Sequence, residues 1–161
     1  MAIALTLQEY LTNNGIKYDL ISHKPTSTTM ASAEVAHIPG DQLAKSVVLE
    51  DDKGYVMVVL PTTHYVELDV ISRQLNRDLD LANEDELADL FWDCDLGAIP
   101  PVGEPYGIEV FMDESLGSCA DVYFESGDHK NLIHVKGKEF RELLHDAPHG
   151  QFSYHMHEGS F

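Results

Sequence analysis

Lys45 is the first residue of this sequence whose position suggests chemistry. It lies in the segment Leu43-Ala44-Lys45-Ser46-Val47-Val48-Leu49, whose apolar and β-branched residues predict a strand. A lysine at the start of such a strand can bury its alkyl stem and present its ammonium group into a pocket. Taken alone, a lysine at a strand end is more often an ordinary surface residue, so Lys45 needs a second feature to support a functional role.

That second feature is the segment Gly97-Ala98-Ile99-Pro100-Pro101-Val102-Gly103. Two glycines and two prolines in seven residues predict a stiff, closely turned loop. Such a loop can direct backbone N–H groups at an oxyanion, and glycine allows a ligand to approach the backbone closely. A rigid connector without any catalytic role has the same composition, and the loop by itself does not distinguish the two interpretations.

His134 is a third candidate, in the strand-like segment Asn131-Leu132-Ile133-His134-Val135-Lys136. Strand alternation places His134 on the same face as Leu132 and Lys136. The imidazole could hydrogen-bond a substrate or orient a loop. A single strand histidine is more often a structural group with satisfied hydrogen bonds, and this interpretation stays open here.

The sequence gives little support for a metal site or a covalent nucleophile. The densest histidine group, His145, His149, His155 and His157, has neither H-E-x-x-H nor C-x-x-C spacing. Cys94 has no histidine partner that the sequence reveals. No G-x-S-x-G, P-loop or dinucleotide-binding motif occurs. We therefore expect neither a metal nor a cofactor.

The elements that must position these residues alternate between helices and strands. Helices are predicted over residues 6–14, 29–38, 69–76, 84–92 and 138–145, and strands over 18–22, 46–50, 55–60, 108–112, 121–124 and 132–135. Thr29 and Asn83 are suitable N-caps, and residues 51–54 read as the turn of a hairpin. This order predicts a mixed α/β (α+β) domain with a central, mostly antiparallel mixed sheet and flanking helices.

Composition limits the classes of partner. The 161 residues carry a net charge of −18, which argues against nonspecific binding to DNA and against an anionic membrane surface. The N-terminus lacks the features of a signal peptide, and two cysteines outside any C-x-x-C motif fit a reducing compartment. We expect a soluble cytoplasmic domain over residues 1–145. Residues 146–161 are polar and rich in Gly, Pro and Ser, and predict a mobile C-terminal tail.

Together, the motifs resemble the YbaK/prolyl-tRNA-synthetase-associated domain, a family of trans-acting aminoacyl-tRNA editing domains. The resemblance rests on the Lys45 strand, the Gly97-x-x-x-Pro101 loop, and Gly127-Asp128-His129 followed by Asn131-Leu132-Ile133-His134. It covers about residues 5–145. The order and spacing of these motifs, rather than any one of them, make it specific.

The resemblance implies a deacylase that hydrolyses the ester of a mischarged tRNA in trans. The expected substrates are Ala-, Cys-, Ser- or Thr-tRNA, most often on tRNA for proline, with prolyl-tRNA synthetase as a possible partner. It implies catalytic roles for Lys45, Gly97 and Pro101. The remaining motif positions would contact the substrate, namely Ser46, Ala98, Ile99 and His134. A substrate hydroxyl would orient the attacking water, so that no protein base is required.

Two alternatives remain open at this point. The first is a non-enzymatic module with an editing-domain fold that binds a small ligand or a synthetase, which the acidity favours because free tRNA should be repelled. The second is a metal-binding or stress-related protein that uses its C-terminal histidines. A deacylation assay and an elemental analysis would distinguish these from the editing hypothesis.

Overall fold

The computed structural model describes residues 3–26, 28–145 and 147–156. Within these ranges, no helix has the length and apolar character needed to cross a membrane. The helices are α1 (Leu5–Asn13), α2 (Thr29–Ala36), α3 (Leu68–Leu75), α4 (Glu84–Leu90) and α5 (Gly137–Leu143). The strands are β1 (Asp19–Ser22), β2 (Leu43–Asp51), β3 (Gly54–Pro61), β4 (His64–Val66), β5 (Asp80–Leu81), β6 (Glu109–Asp113), β7 (Asp121–Glu125), β8 (Asn131–Lys136), β9 (His149–Gly150) and β10 (Ser153–His155).

The main sheet has the strand order β1-β8-β7-β2-β3-β6-β9, and β5 pairs with β2 outside this path. Its long pairs, β2 with β3 and β7 with β8, are antiparallel, whereas β2 with β7 and β3 with β6 are parallel. The predicted mixed, mostly antiparallel sheet with flanking helices is therefore confirmed. The predicted hairpin at residues 51–54 joins β2 to β3, with Asp51 opposite Gly54.

The sheet separates two apolar layers, because side chains alternate along β2 and β3. Ala44, Val48, Met57 and Val59 belong to the layer that contains α1 and α5. Leu43 packs with Ala33 of α2 in one part of the opposite layer, and the alternate residues of β3 pack with Ile71 of α3 in another. Residues 56–61 of β3 are all buried, as expected for a strand covered on both faces.

Two helix starts matter for the position of the site. Thr28, rather than the expected Thr29, caps α2 and accepts a hydrogen bond from the Ala31 N–H at 3.1 Å. Asn83 caps α4 as expected, and Glu86 completes a capping box with it. Both caps fix where the first turn of the helix meets the neighbouring loops.

The C-terminal segment corrects the prediction of a mobile tail after residue 145. Within residues 147–156, β9 adds to β6 and β10 pairs antiparallel with β4. Phe152 lies between these strands and is only 1% exposed, in the same apolar cluster as Ile71. The Phe152 N–H donates to the Asp113 carboxylate at 3.0 Å. Residues 146 and 157–161, including His157, lie outside the described ranges.

Candidate functional site

The main candidate site is a cavity of about 330 Å³ beside the start of β2. Five parts of the chain meet there: the N-terminus of α2, the β2–β3 hairpin with the residue that follows it, α4, the loop before Val102 and the C-terminal segment. The lining residues are Thr28, Thr29, Met30, Lys45, Ser46, Thr62, Leu87, Gly97, Ile99 and Met156. We call this the Lys45 cavity.

Lys45 presents the cation of the cavity. It is the third residue of β2 and pairs with Leu60 of β3. The residues on either side of Leu60 in β3 are buried. Its Nζ lies 5.9 Å from the centre of the Tyr65 ring, within the range of a cation–π contact. Burial lowers the pKa of the Lys45 ammonium group below its ordinary value. The strand thus holds a partly desolvated cation, which interacts more strongly with a ligand dipole or charge than an exposed lysine does.

The Gly97 loop is held against the cavity by two hydroxyl groups. Gly97 has φ of 84°, a conformation that glycine adopts far more easily than other residues. The Thr29 hydroxyl donates to the Gly97 carbonyl at 3.3 Å. The Ser46 hydroxyl donates to the Ile99 carbonyl at 3.1 Å. These bonds tie the loop to α2 on one side and to β2 on the other, so that its backbone has a fixed direction at the cavity.

Two further hydrogen bonds support this loop from outside the cavity. His129 donates its Nε2–H to the Leu96 carbonyl at 2.6 Å. The Asp95 N–H donates to the Gly127 carbonyl at 2.8 Å, so the turn before β8 is bonded to both residues that precede Gly97. The role of the Gly127-Asp128-His129 motif is therefore to position the loop.

The N-terminus of α2 adds to the positive character of the cavity. Thr28, Thr29 and Met30 line the cavity with the cap and first turn of this helix. The first turn carries no acidic residue, so the positive end of the helix dipole is not neutralised there. Lys45 and the α2 N-terminus together favour an oxygen that gains negative charge.

The structure brings together four of the residues predicted for the site, Lys45, Ser46, Gly97 and Ile99. Ala98 and Pro101 belong to the same loop but do not line the cavity, and both are buried. The Ala98 N–H donates to the Asp95 carbonyl at 3.1 Å. Their positions fit a part in the shape of the loop.

His134 does not lie in the Lys45 cavity, which corrects its expected role in substrate binding. Its ring nitrogens lie 3.0 Å from the Asp19 carboxylate and 2.8 Å from the Asp121 carboxylate. The ring also stacks on Tyr123, with centroids 4.6 Å apart. His134 and Lys136 line a separate depression beside β1, where the imidazole joins neighbouring strands.

Several residues of the cavity were not predicted from the sequence. Thr28 had a sequence signal, because a threonine before a helical segment is a typical N-cap. Met30, Thr62 and Leu87 had none, since they are ordinary residues of a helix or a strand end. Met156 was assigned to the mobile tail, although its N–H donates to the Thr63 carbonyl at 2.8 Å.

The histidines and cysteines of the chain do not assemble a metal site or an activated thiol within the described ranges. No group of three or more His, Cys, Asp or Glu side chains there is placed to hold a metal ion. His145, His149 and His155 instead face three different carboxylates. Burial raises the pKa of the Cys94 thiol to about 12, so it stays protonated near neutral pH.

Solved structures share this fold. A protein described as hypothetical protein APE2540 matches with a TM-score of 0.82 and 23% identity, over 92% of this chain and 99% of that one. A candidate trans-editing enzyme for prolyl-tRNA synthetase matches with a TM-score of 0.79 and 24% identity, over 94% and 96%. A protein from Marinobacter aquaeolei VT8 described as a candidate signal transduction protein matches with a TM-score of 0.77 and 20% identity, over 92% of this chain but only 30% of that one.

Sequence comparison identifies the family. No curated protein matches the chain significantly. The model of the aminoacyl-tRNA editing domain matches residues 23–143, which include the Lys45 strand, the Gly97 loop and the turn that supports it. The chain therefore belongs to the aminoacyl-tRNA editing domain family.

Proposed function

We propose that this protein is a deacylase that hydrolyses the ester bond of a mischarged aminoacyl-tRNA in trans. The observation that carries the proposal is the convergence of Lys45, the Gly97 loop and the α2 N-terminus on one cavity, in a chain of the editing family. Lys45 and the α2 N-terminus favour negative charge, and an ester carbonyl gains negative charge on oxygen when water attacks it.

The chemistry requires little from the protein beyond positioning. Water adds to the ester carbonyl, the bond to the ribose oxygen breaks, and that oxygen leaves with the proton that water gives up. An aminoacyl ester is already activated, so a covalent nucleophile is not needed. Lys45 would contact the aminoacyl-adenosine end, and the Gly97 loop would place the carbonyl. A hydroxyl of the substrate would orient the water.

The proposed substrates are Ala-, Cys-, Ser- or Thr-tRNA, with tRNA for proline as the acceptor and prolyl-tRNA synthetase as a partner in the cytoplasm. One solved structure of the same fold is described as a candidate trans-editing enzyme for prolyl-tRNA synthetase, which supports this choice. A small cavity can admit a small amino acid and exclude a larger correct one. Selection by size suits editing, because one methylene contributes only about 1–3 kcal/mol of discrimination in a pocket.

The test is a deacylation panel with these four aminoacyl groups on tRNA for proline, using wild type, Lys45→Ala and Lys53→Ala. Lys53 is an exposed lysine in the turn of the same β2–β3 hairpin and serves as the matched control. Loss of a charge-assisted contact of about 1.5–3 kcal/mol should lower kcat/KM by about 10- to 100-fold in Lys45→Ala. Lys53→Ala should resemble wild type.

The same panel tests the alternative of a non-enzymatic binding module. If wild type binds an aminoacyl-adenosine without hydrolysing any of the four esters, the protein is a binding module with this fold. If Lys45→Ala retains the kcat/KM of wild type and both have the same thermal midpoint, Lys45 has no part in the reaction.

A further inference from the structure

The C-terminal segment completes the wall of the Lys45 cavity, although it lies beyond the part of the chain that the family model matches. That match ends at residue 143, whereas Met156 lines the cavity together with Lys45 and Gly97. Residues 152–156, which we call the C-terminal strap, therefore add a wall to a site whose other parts belong to the family core.

The strap is anchored at both ends of its short strand. At one end Phe152 is buried among apolar residues, and the Glu67 N–H donates to the Phe152 carbonyl at 2.7 Å. At the other end the Met156 N–H donates to Thr63, the residue that follows cavity-lining Thr62. A wall that is fixed at two points can exclude a ligand group by size, because moving it would break these contacts.

The strap also contacts Tyr65, whose ring faces the Lys45 ammonium group. Tyr154 pairs with Tyr65 across β10 and β4, and their ring centroids are 5.6 Å apart. The Tyr65 ring in turn lies 5.9 Å from the Lys45 ammonium nitrogen. Met156 therefore lies two residues after Tyr154, whose ring packs on Tyr65 beside Lys45. This places Met156 close to where the reacting ester would lie.

We infer that Met156 is a specificity-determining residue that limits the size of the aminoacyl side chain in the Lys45 cavity. This inference rests on the proposed deacylase function. The thioether side chain is unbranched and apolar, so it offers contact area to a small aliphatic group and no hydrogen bond to a hydroxyl. Its removal enlarges the cavity on the strap side and leaves Lys45, Ser46 and the Gly97 loop unchanged.

The experiment compares wild type, Met156→Ala, Met156→Leu and Leu81→Ala with esters of increasing size, alanyl-, prolyl- and leucyl-tRNA. Met156→Ala should raise the kcat/KM of a larger ester relative to alanyl-tRNA by about tenfold, the effect of roughly one or two methylene groups. Met156→Leu conserves side-chain volume and should keep the wild-type ratio. Leu81→Ala truncates an apolar side chain that is 60% exposed on β5 and does not line the cavity, so it should also keep the ratio.

A second measurement separates this inference from the proposed function. Dissociation constants for amide-linked aminoacyl-adenosines of the same three sizes should show the same change of ratio, even if no ester is hydrolysed. Absence of hydrolysis by wild type, with a size-dependent affinity that Met156→Ala relaxes, would refute the deacylase function and support the role of Met156. An unchanged ratio in Met156→Ala, or an equal loss for all three sizes, would overturn the inference, as would absence of both hydrolysis and binding in wild type.

Discussion

Glu125 gives the structure a pH-dependent stability that can be measured. This last residue of β7 is 1% exposed, and neither carboxylate oxygen has a well-formed hydrogen bond within the described part of the chain. Burial raises the pKa of Glu125 from 4.5 to about 8; the nearby Ser32 hydroxyl offsets part of this rise, and the charge of Asp128 adds to it. Glu125 directly follows Phe124, the partner of Ala44 in the parallel register with β2.

The sign of the effect follows from proton uptake. Because the folded pKa lies above the unfolded one, the folded protein holds a proton on Glu125 that the unfolded chain releases between pH 4.5 and 8. The free energy of unfolding should therefore fall as the pH rises through this window. Each pKa unit corresponds to about 1.4 kcal/mol, so the rise from 4.5 to about 8 gives an upper bound of about 5 kcal/mol for the loss, before relaxation of the surrounding structure reduces it.

The perturbation is Glu125→Gln, which keeps the shape of the protonated side chain and cannot ionise. Urea denaturation at pH 5, 7 and 9 should give nearly equal free energies of unfolding for variant and wild type at pH 5. The variant should be more stable than wild type by more than about 1 kcal/mol at pH 9. Glu109→Gln, at an exposed position of β6, is the matched control and should follow wild type at every pH. Equal stability of Glu125→Gln and wild type at pH 9 would refute the reasoning, and a less stable variant would show that ionised Glu125 has a favourable partner.

Three further outcomes are expected. Gly97→Val should lower kcat/KM by at least about tenfold while the protein still melts cooperatively, because a β-branched residue is strained at φ of 84°; parallel loss of activity and of the melting transition would make the loop purely structural. His134→Ala should leave kcat/KM within about twofold of wild type and lower Tm by a few degrees, because the imidazole joins Asp19 to Asp121 outside the cavity; near-complete loss of activity with an unchanged Tm would contradict this. The affinity for free tRNA should be weak and depend only shallowly on salt, since log K falls by about 0.7–0.9 per neutralised phosphate for each decade of salt; tight binding with a steep salt dependence in a filter-binding series would contradict it.

Local signals in the sequence account for much of the fold. The apolar runs that flank residues 51–54 predict the β2–β3 hairpin, because its two strands are joined by a short turn. Asn83 followed by Glu86 predicts the start of α4 by the same kind of nearby interaction. Lys45, Ser46, Gly97 and Ile99 also lie together at one cavity, as the resemblance to a family led us to expect, because such a resemblance carries information on tertiary structure that periodicity lacks.

The errors concern contacts between distant parts of the chain. Phe152 lies in a segment whose Gly, Pro and Ser content resembles a tail, and only its packing with residues of α3 and β3 shows that it is buried. The β10–β4 pair joins residues almost ninety positions apart, which no local pattern reports. For His134, alternation gave the correct face of β8 but not its partners, because Asp19 and Asp121 belong to two neighbouring strands.

The placement of the basic residues bears on the proposed recognition of tRNA. Arg77 pairs with Asp51 and Lys136 with Asp121, both away from the cavity, so these cations already have acidic partners. Lys45 lies inside the cavity, and Lys130 lines a neighbouring depression with Asp95, close to the Gly97 loop. With ten basic residues against 28 acidic ones, a broad contact with the tRNA body would be repelled. We therefore expect recognition to be confined to the acceptor end, which makes presentation of the charged 3′ end by a synthetase more effective than capture of free tRNA.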